Sequence, residues 1–354
     1  MIAGGGTGGH VLAGVAVADA WREAVGPNAQ IVFVGARGAI EERLVPRAGY
    51  KLEVLSIGSL NKVSFSRRIK TGFQLPIALL KSMGLLLSFR PQAVIGVGGY
   101  AAGPLVLMAR FAGLGRIRTA VIEQNSVPGF TNRVLGRFVQ QVFCAFPGTE
   151  RWFTSARVTL TGNPIRNVMK PMGPASRDPF TIFVFGGSQG ALGMNTIVIE
   201  ALGFLPDLKD RLRWIHQTGE ADFERVAAAH VKAGFSSSRV EKFIYEMPAA
   251  YAQASLLICR AGSSTLSEIA AVGRAAVLFP LPTAADNHQE KNARVFSDVG
   301  AAVTLPQRET RGEDLARVIR ELVSDSAKIA EMESRVQAFY RPEAARDIVR
   351  GLLS

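Results

Sequence analysis

The chain has 354 residues, enough for two domains, and its 36 glycines, 17 prolines and 48% apolar content are typical of an α/β protein. Two distant cysteines exclude a disulfide framework and favour the cytoplasm, and we expect neither a signal peptide nor a transmembrane segment. The net charge of +12 lies almost wholly in residues 1–161, which hold 18 Lys and Arg against 7 Asp and Glu, whereas residues 162–354 hold 23 against 22. An anionic partner, a membrane or a nucleic acid, is therefore expected for the first half only.

A glycine-rich run opens the chain, before an Ala/Val-rich helix expected over residues 11–25. Its Gly4-x-Gly6-x-x-Gly9 pattern satisfies the dinucleotide-binding fingerprint, which keeps an NADP-dependent oxidoreductase open. The next strand, at 31–34, leads to Arg37 instead of the acidic residue that would hold a ribose, and an arginine there suits a 2′-phosphate.

His10 directly follows these glycines and is a candidate general base, because the ordinary pKa of histidine lies near neutral. The alternative is that its ring only hydrogen-bonds the backbone of the glycine loop.

Residues 60–90 combine basic and apolar side chains. Four bases, Lys62, Arg67, Arg68 and Lys70, precede a helix expected from about Pro76 that is apolar on most of its circumference. Packing one face on a sheet requires less apolar surface, so the pattern indicates a patch that contacts lipid, with the bases at the headgroups. A deeply buried helix is the alternative.

The remainder of the first half alternates strands with polar or glycine-rich loops. Strands are expected at 93–97, 119–122, 142–145 and 158–160. Gly98-Gly99-Tyr100 follows the first of these and Glu123-Gln124-Asn125 the second, where open α/β sheets bind ligands. A Pro- and Gly-rich stretch over 162–179 is the expected linker.

The second half restarts the pattern with a strand at 180–185 and a glycine loop at 186–190, followed by strands at 212–217, 240–244, 256–259 and 275–280. After the strand at 256–259, small residues lead into a helix that opens near Thr265. Such a turn aims amide N–H groups and the helix dipole at one place, so it predicts a phosphate site, with Glu268 placed to accept hydrogen bonds from ribose hydroxyls. A capping box formed by Thr265 and Glu268 is the alternative.

The amides of Gln289 and Asn292 share a helix face, as the hydroxyl-binding side chains of a sugar site would. Further helices are expected at 313–335 and 343–353. The same supersecondary unit recurs in both halves, which predicts two doubly wound domains joined by the linker.

An ordered series of motifs along the chain resembles the MurG family of peptidoglycan N-acetylglucosaminyltransferases. The motifs are Gly4-Gly5-Gly6-Thr7-Gly8-Gly9-His10, Gly98-Gly99-Tyr100, Glu123-Gln124-Asn125, Gly162-Asn163-Pro164-Ile165-Arg166, Gly186-Gly187-Ser188-Gln189-Gly190, Cys259-Arg260-Ala261-Gly262 with Ser267-Glu268, and Gln289-x-x-Asn292-Ala293. The resemblance implies the α/β GT-B fold, in which two doubly wound Rossmann-like domains face each other across a cleft. It also implies an acceptor- and membrane-associating domain at 1–161, a UDP-sugar donor domain at 162–339, and a C-terminal helix at about 340–354 that packs back on the first domain.

The activity implied by this resemblance is the inverting transfer of N-acetylglucosamine from its UDP donor to the C4 hydroxyl of the MurNAc-pentapeptide of lipid I. The product is lipid II, a precursor of peptidoglycan, which links the chain to cell-wall biogenesis, cell shape and cell division. The implied location is peripheral, on the cytoplasmic face of the inner membrane. The implied partners are UDP-N-acetylglucosamine, undecaprenyl-linked lipid I, the anionic membrane and other cell-wall synthesis proteins. No nucleic acid is expected.

The resemblance also implies roles for individual residues. The diphosphate would be held by Ser188, Ser263, Ser264 and Thr265, and the uracil by the backbone of Ile244. Glu268 would bind the ribose, Gln289 would bind the sugar, and Arg166 would bind the donor as a whole. The residues that would approach from the acceptor side are Thr7, Gly8, Gly9 and Asn125. His10 is the implied base, with Glu123 and Tyr100 as rivals.

No cofactor is expected, and since the sequence contains no Asp-x-Asp pair, we expect helix amides instead of a metal to stabilise the leaving UDP. The chain departs from the family pattern at its short first strand, at Ala13 and at His288, and the last departure bears on the sugar contacts.

Overall fold

The computed structural model describes residues 1–58, 65–113, 115–187 and 189–354. For residues 65–73 it describes the backbone and not the side chains. The chain forms two compact units. The first consists of Met1–Asn167 together with Arg341–Ser354, and the second of Val168–Tyr340. The division falls within the Pro- and Gly-rich stretch in which the sequence analysis places the domain boundary. The functional labels of the two domains stay a prediction.

The first unit contains a parallel sheet. In the described residues its strands are β1 (Ile2–Ala3), β2 (Val32–Ala36), β3 (Lys51–Leu55), β4 (Ala93–Gly96), β5 (Arg118–Glu123), β6 (Gln141–Cys144) and β7 (Arg157–Leu160), in the order β3-β2-β1-β4-β5-β6-β7. The helices between them are α1 (Gly8–Val25), α2 (Glu41–Arg47), α3 (Phe65–Phe89), α4 (Ala102–Ala112) and α5 (Phe130–Leu135). Because every pair is parallel, all carboxyl ends of the strands lie at one edge of the sheet.

The second unit contains another parallel sheet. Its described strands are β8 (Phe180–Phe185), β9 (Leu212–Gln217), β10 (Arg239–Glu241), β11 (Leu256–Cys259), β12 (Ala276–Leu278) and β13 (Val303–Thr304), in the order β10-β9-β8-β11-β12-β13. The helices are α6 (Leu192–Leu202), α7 (Phe223–Lys232), α8 (Met247–Gln253), α9 (Ser263–Val272), α10 (His288–Ser297), α11 (Gly312–Ser324) and α12 (Ser326–Gln337). The apolar runs of the central strands β8 and β11 are buried nearly throughout, as expected for a sheet with helices on both faces.

The last helix, α13 (Ala344–Leu353), belongs to the first unit and packs on α1. Its Ile348, Val349 and Leu352 enter the apolar cluster that contains Val17 of α1. Arg118 Nη1 of β5 also donates to the Leu352 carbonyl at 2.7 Å. The end of the chain is thus fastened to the first sheet by packing and by a hydrogen bond.

Several element boundaries differ from the sequence predictions. Helix α1 begins at Gly8, three residues earlier than expected, because the Thr7 hydroxyl caps it by accepting the His10 N–H at 3.3 Å. Helix α3 begins at Phe65 and contains Pro76, which was expected near its start. Strand β10 ends at Glu241, so Ile244 lies in a loop.

The helical segment predicted at 313–335 is present as two helices, α11 and α12. Asp325 ends α11 and caps α12, since its side chain accepts the Lys328 N–H at 2.8 Å.

None of the helices in the described part of the chain combines the length and hydrophobicity that crossing a bilayer requires.

Candidate active site

The order of the second sheet brings two loops together. From β8 the chain passes to β9 on one side, whereas β11 lies on the other side, so β8 and β11 form a topological switch point. The loop after β8 contains Gly186 and Gly187, and the loop after β11 leads into α9. Open α/β sheets bind ligands in the crevice at such a point. Ser188 lies outside the described residues, so its role at the diphosphate stays a prediction.

Helix α9 starts without a capping side chain. It begins at Ser263, two residues before the expected Thr265, and its N-cap is Gly262. Thr265 is the third residue of the helix and not its N-cap, so the alternative of a capping box between Thr265 and Glu268 is wrong. The amides of the first turn and the positive end of the helix dipole therefore form a favourable place for an anion.

Glu268 lies on α9, half-buried, and its Oε2 accepts a hydrogen bond from the Tyr251 hydroxyl at 3.0 Å. Tyr251, on α8, is fully buried. The carboxylate is thus held in place by a side chain of its own unit. Sequence analysis did not identify Tyr251, because no motif or periodicity pairs it with Glu268.

Ile244 is held by a glutamine that the sequence analysis also missed. Gln217, the last residue of β9, accepts the Ile244 N–H on Oε1 at 2.9 Å and donates through Nε2 to the Gly187 carbonyl at 3.0 Å. The Ile244 N–H is therefore in use, and its carbonyl is the backbone group that remains for a base. The position of Gln217 at a strand's carboxyl end was the signal that could have found it.

The two amides expected at the sugar site have different surroundings. Gln289 is half-buried and accepts the Leu281 N–H on Oε1 at 2.9 Å, which directs its NH₂ group elsewhere. Asn292 is fully buried, and its Nδ2 lies 3.5 Å from the Ala261 carbonyl, just before α9. Asn292 therefore contacts the loop before α9, and its role at sugar hydroxyls stays a prediction. His288 Nδ1 contacts the Ala285 carbonyl at 2.8 Å.

In the first unit, loops after β1, β4 and β5 interlock at the carboxyl edge of the sheet. The Gly5 N–H donates to the Gly98 carbonyl at 3.2 Å, which joins the first two loops. Gln124 Nε2 donates to the Val97 carbonyl at 3.2 Å, which joins the second to the third. These bonds bring the segments that carry His10, Tyr100 and Asn125 to one edge.

His10 occupies the first turn of α1, with Nδ1 3.0 Å from the Gly5 carbonyl. Because a carbonyl only accepts, Nδ1 carries the proton and Nε2 has the lone pair that a base needs. A Cβ at Gly98, whose φ is +106°, would lie 2.7 Å from Nε2, so the ring packs directly on the second glycine loop. The ring therefore does bond the loop backbone, and that same bond assigns Nε2 as its basic nitrogen.

Glu123 accepts several hydrogen bonds within its own loop. It is 1% exposed and accepts from the Asn125 N–H at 2.8 Å, Asn125 Nδ2 at 3.2 Å, the Gly129 N–H at 3.2 Å and Asn132 Nδ2 at 2.9 Å. Burial raises the pKa of Glu123 to about 7, although these hydrogen bonds lower it. A carboxylate in this position holds the loop of Asn125. Tyr100, its fellow rival for the base, is half-buried in the second glycine loop.

Glu41 is a further residue that the sequence analysis did not identify. It is fully buried at the start of α2, accepting the Gly6 N–H at 2.9 Å and the Ala36 N–H at 2.9 Å. A Cβ at Gly5 would overlap its carboxylate. The Gly6 amide of the loop that would hold a dinucleotide phosphate is thus already bound to this side chain, which disfavours NADP there.

Comparisons with known proteins cover both units. The N-terminal domain of glycosyltransferase family 28 matches residues 1–144, and the C-terminal domain of that family matches residues 181–348. A Syntrophus aciditrophicus protein named UDP-N-acetylglucosamine--N-acetylmuramyl-(pentapeptide) pyrophosphoryl-undecaprenol N-acetylglucosamine transferase is 44% identical over 99% of this chain and 96% of its own length. A protein of the same name from Myxococcus xanthus is 43% identical over 98% of this chain and 90% of its own.

Among solved structures, MurG of Acinetobacter baumannii matches with a TM-score of 0.82 and 30% identity, covering 100% of this chain and 98% of that one. The chain belongs to the MurG family of glycosyltransferases. The predicted family and the predicted GT-B fold are thereby confirmed, and the chain is a transferase. The comparisons give no support to the NADP-dependent oxidoreductase.

Family membership leaves the individual roles of the site residues as predictions. Thr7 is exposed and caps α1, and Gly8 and Gly9 form its first turn. Arg166 is half-buried and lies in the first unit, just before the division at Asn167. Among the described residues, no group of three or more His, Cys, Asp or Glu side chains is arranged to hold a metal ion.

Proposed function

We propose that this MurG family member transfers N-acetylglucosamine from UDP-N-acetylglucosamine to lipid I, which yields lipid II for peptidoglycan synthesis. The observation that carries the proposal is the switch point of the second sheet. There the uncapped start of α9, the glycine loop after β8 and a pre-oriented carboxylate converge, in a chain 44% identical to a transferase of that name. These groups match the charge and hydroxyls of a nucleoside diphosphate.

The donor site follows from these groups. The amides of Ser263, Ser264 and Thr265, with Ser188, bind the diphosphate, and Glu268 accepts hydrogen bonds from the ribose hydroxyls. The Ile244 carbonyl accepts the N3–H of uracil, because the Ile244 N–H already binds Gln217. Two further groups complete the proposed site: the NH₂ group of Gln289 binds the sugar, and Arg166 binds the donor.

Departure of UDP places negative charge on its β-phosphate. Amides and a helix dipole that already point at this phosphate stabilise the developing charge with little reorganisation. This arrangement supports a donor site that requires no metal ion.

The attacking group is the C4 hydroxyl of the muramoyl sugar. His10 Nε2 accepts its proton while the C4 oxygen bonds to the anomeric carbon and the bond from that carbon to the phosphate oxygen breaks. A single displacement inverts the anomeric configuration and yields a β-1,4 linkage. Thr7, Gly8, Gly9 and Asn125 lie on the acceptor side, where Glu123 supports the loop of Asn125.

The exposed face of α3 supports attachment to a membrane. Ile77 is 64% exposed, Leu80 75% and Leu87 67%, whereas Ala78 and Leu86 are buried. One face therefore packs on the first unit and the other presents apolar side chains outward. The predicted basic rim cannot be placed in the same way, because Lys62 and the side chains of Arg67, Arg68 and Lys70 lie outside the described residues.

We propose on this basis that the protein binds peripherally to the anionic cytoplasmic face of the inner membrane, where lipid I is embedded. Supply of lipid II would connect it to cell shape and cell division, and other cell-wall synthesis proteins are its proposed neighbours. No nucleic acid takes part in the proposed reaction or in the proposed membrane attachment.

The test is to supply the full chain with UDP-N-acetylglucosamine and a short-chain lipid I analogue. We expect UDP release together with a disaccharide-lipid product. Release of UDP without the disaccharide, or no reaction, would contradict the proposal. In a parallel titration, UDP is expected to bind and NADPH is not; protection of residues 4–9 by NADPH would instead support the oxidoreductase.

A further inference from the structure

The Glu268 carboxylate shares a hydrogen bond with a buried tyrosine from a different helix. Tyr251 of α8 donates its hydroxyl to Glu268 Oε2 at 3.0 Å, and its side chain is fully buried whereas Glu268 is half-buried. An O–H group that donates to an ionised carboxylate forms one of the stronger protein hydrogen bonds. This bond restricts the orientation of the carboxylate.

Tyr251 is itself held on several sides. Its ring meets Phe183 at a centroid distance of 5.6 Å and an angle of 74°, and Phe185 at 5.6 Å and 90°, both on β8. Arg274, which is 2% exposed, donates through Nε to the Tyr251 carbonyl at 3.2 Å. These contacts place the hydroxyl without the help of any ligand.

We propose that Tyr251 is a positioning residue that presets Glu268 for the hydroxyls of a ribose, so that the site selects ribonucleotides over deoxyribonucleotides. The inference rests on the proposed role of Glu268 at the donor. A carboxylate that is ordered beforehand loses less freedom when hydroxyls bind to it. A nucleotide without those hydroxyls gains nothing from the ordering.

The position of Tyr251 strengthens this assignment. Phe185 is the last residue of β8 and directly precedes the glycine loop of the diphosphate site. The same tyrosine therefore contacts the strand that leads to one part of the proposed donor site and the helix that forms another. Its ring packs on the strand, and its hydroxyl orients the carboxylate on the helix.

The test is Tyr251→Phe, which keeps the ring and removes only the hydroxyl. Dissociation constants for UDP and for 2′,3′-dideoxyuridine diphosphate are measured by calorimetry on the full chain. We expect affinity for UDP to fall about tenfold and affinity for the dideoxy compound to stay unchanged. The preference for ribose therefore falls by the same factor.

Two further variants make the result specific. Tyr50→Phe removes a buried tyrosine's bond to a carboxylate, that of Asp19, in the first unit, and is expected to alter neither dissociation constant. Glu268→Gln is expected to remove most of the preference for ribose. Adding Tyr251→Phe to Glu268→Gln is expected to produce no further loss of preference, since both changes interrupt one interaction.

The outcomes separate this inference from the proposed function. If Glu268→Gln lowers the preference for ribose and Tyr251→Phe does not, the role of Tyr251 is overturned and the donor site stands. Equal weakening of both nucleotides in Tyr251→Phe also overturns it, because a merely structural tyrosine would act in that way. An unchanged preference in Glu268→Gln overturns the ribose assignment itself, and the inference with it.

Discussion

One hydrogen bond determines which nitrogen of His10 can act as a base. The Gly5 carbonyl, 3.0 Å from Nδ1, requires a proton there and leaves the lone pair on Nε2. Both sequence hypotheses for this histidine therefore describe the same geometry, since the contact with the loop is what selects the basic nitrogen. Glu123, in contrast, has its carboxylate oxygens occupied by the loop that it supports.

Replacement of His10 tests the assignment at the residue scale. We expect His10→Ala to lower kcat by about 10²-fold or more with the Kd for UDP little changed, because the base acts only during the chemical step. Steady-state kinetics and calorimetry provide the measurements. His10→Gln is the matched control: its side-chain amide can still donate to the Gly5 carbonyl but cannot accept a proton. Near-normal turnover in His10→Gln would reduce His10 to a support of the loop.

At the scale of elements, we propose that the start of α9 performs the task for which other sugar transferases use a metal. Its first residues are small, its N-cap is Gly262, and no described side chain occupies the capping position. The negative charge that completes the end of this helix is therefore left to a ligand.

Removal of divalent ions tests this role of α9. We expect the Kd for UDP-N-acetylglucosamine to be the same in excess EDTA as in millimolar Mg²⁺, because amides provide the positive potential. Equilibrium binding measured in both buffers decides the matter. Loss of binding in EDTA that Mg²⁺ restores would show that a metal takes part.

A buried histidine pair between β9 and α7 predicts that the second unit is sensitive to acid. His216 Nδ1 lies 3.2 Å from His230 Nε2, and His230 Nδ1 lies 3.0 Å from Ser238 Oγ. Burial lowers the pKa of His216 well below its ordinary value and that of His230 to about 4. The folded state therefore keeps both rings neutral, whereas the unfolded chain takes up protons below about pH 6.5.

The contribution of this pair to the stability of the second unit is expected to be constant above about pH 6.5 and to fall as the pH drops from 6.5 towards 4, by roughly 1.4 kcal/mol per pH unit for each histidine. Denaturant unfolding at a series of pH values, followed by the fluorescence of the buried Trp214, measures it. His230→Gln should reduce the dependence of the unfolding free energy on pH by the equivalent of about one proton. A pH dependence that is the same in the variant and in the unchanged protein would contradict the assignment.

At the scale of the whole molecule, charge and exposed apolar surface are unevenly distributed. Residues 1–161 hold 18 basic against 7 acidic residues, and the same part of the chain contains the outward apolar face of α3. A positive charge attracts the protein to an anionic bilayer, and apolar side chains that enter the interface add to the binding.

Liposome flotation tests this surface. We expect Leu80→Glu to lower partitioning onto phosphatidylglycerol vesicles by about tenfold or more, because a side chain that is 75% exposed no longer enters the bilayer. Val231→Glu is the matched control, at a position 63% exposed on α7 of the second unit. Binding that ignores both salt and lipid charge, or equal losses in the two variants, would remove the role of this face.

The sequence by itself determined the features that depend on neighbouring residues. Buried strands, glycine loops and the small residues before α9 are local patterns, so the two doubly wound sheets and the passage from β11 through a short loop into α9 were predictable. The exact starts of the helices were not predictable, because they depend on whether a side chain caps the first turn. Thr7 caps α1, whereas α9 starts after Gly262 without such a cap.

Tertiary structure alone decided which residues support the site. Gln217 holds Ile244 across 27 residues, Tyr251 holds Glu268 across 17, and Glu41 reaches the Gly6 amide across 35. No periodicity connects such partners, since each pair meets only after separate strands and helices have packed. The same holds for the contact of Asn292 with the Ala261 carbonyl, which the spacing of Gln289 and Asn292 on their helix does not reveal.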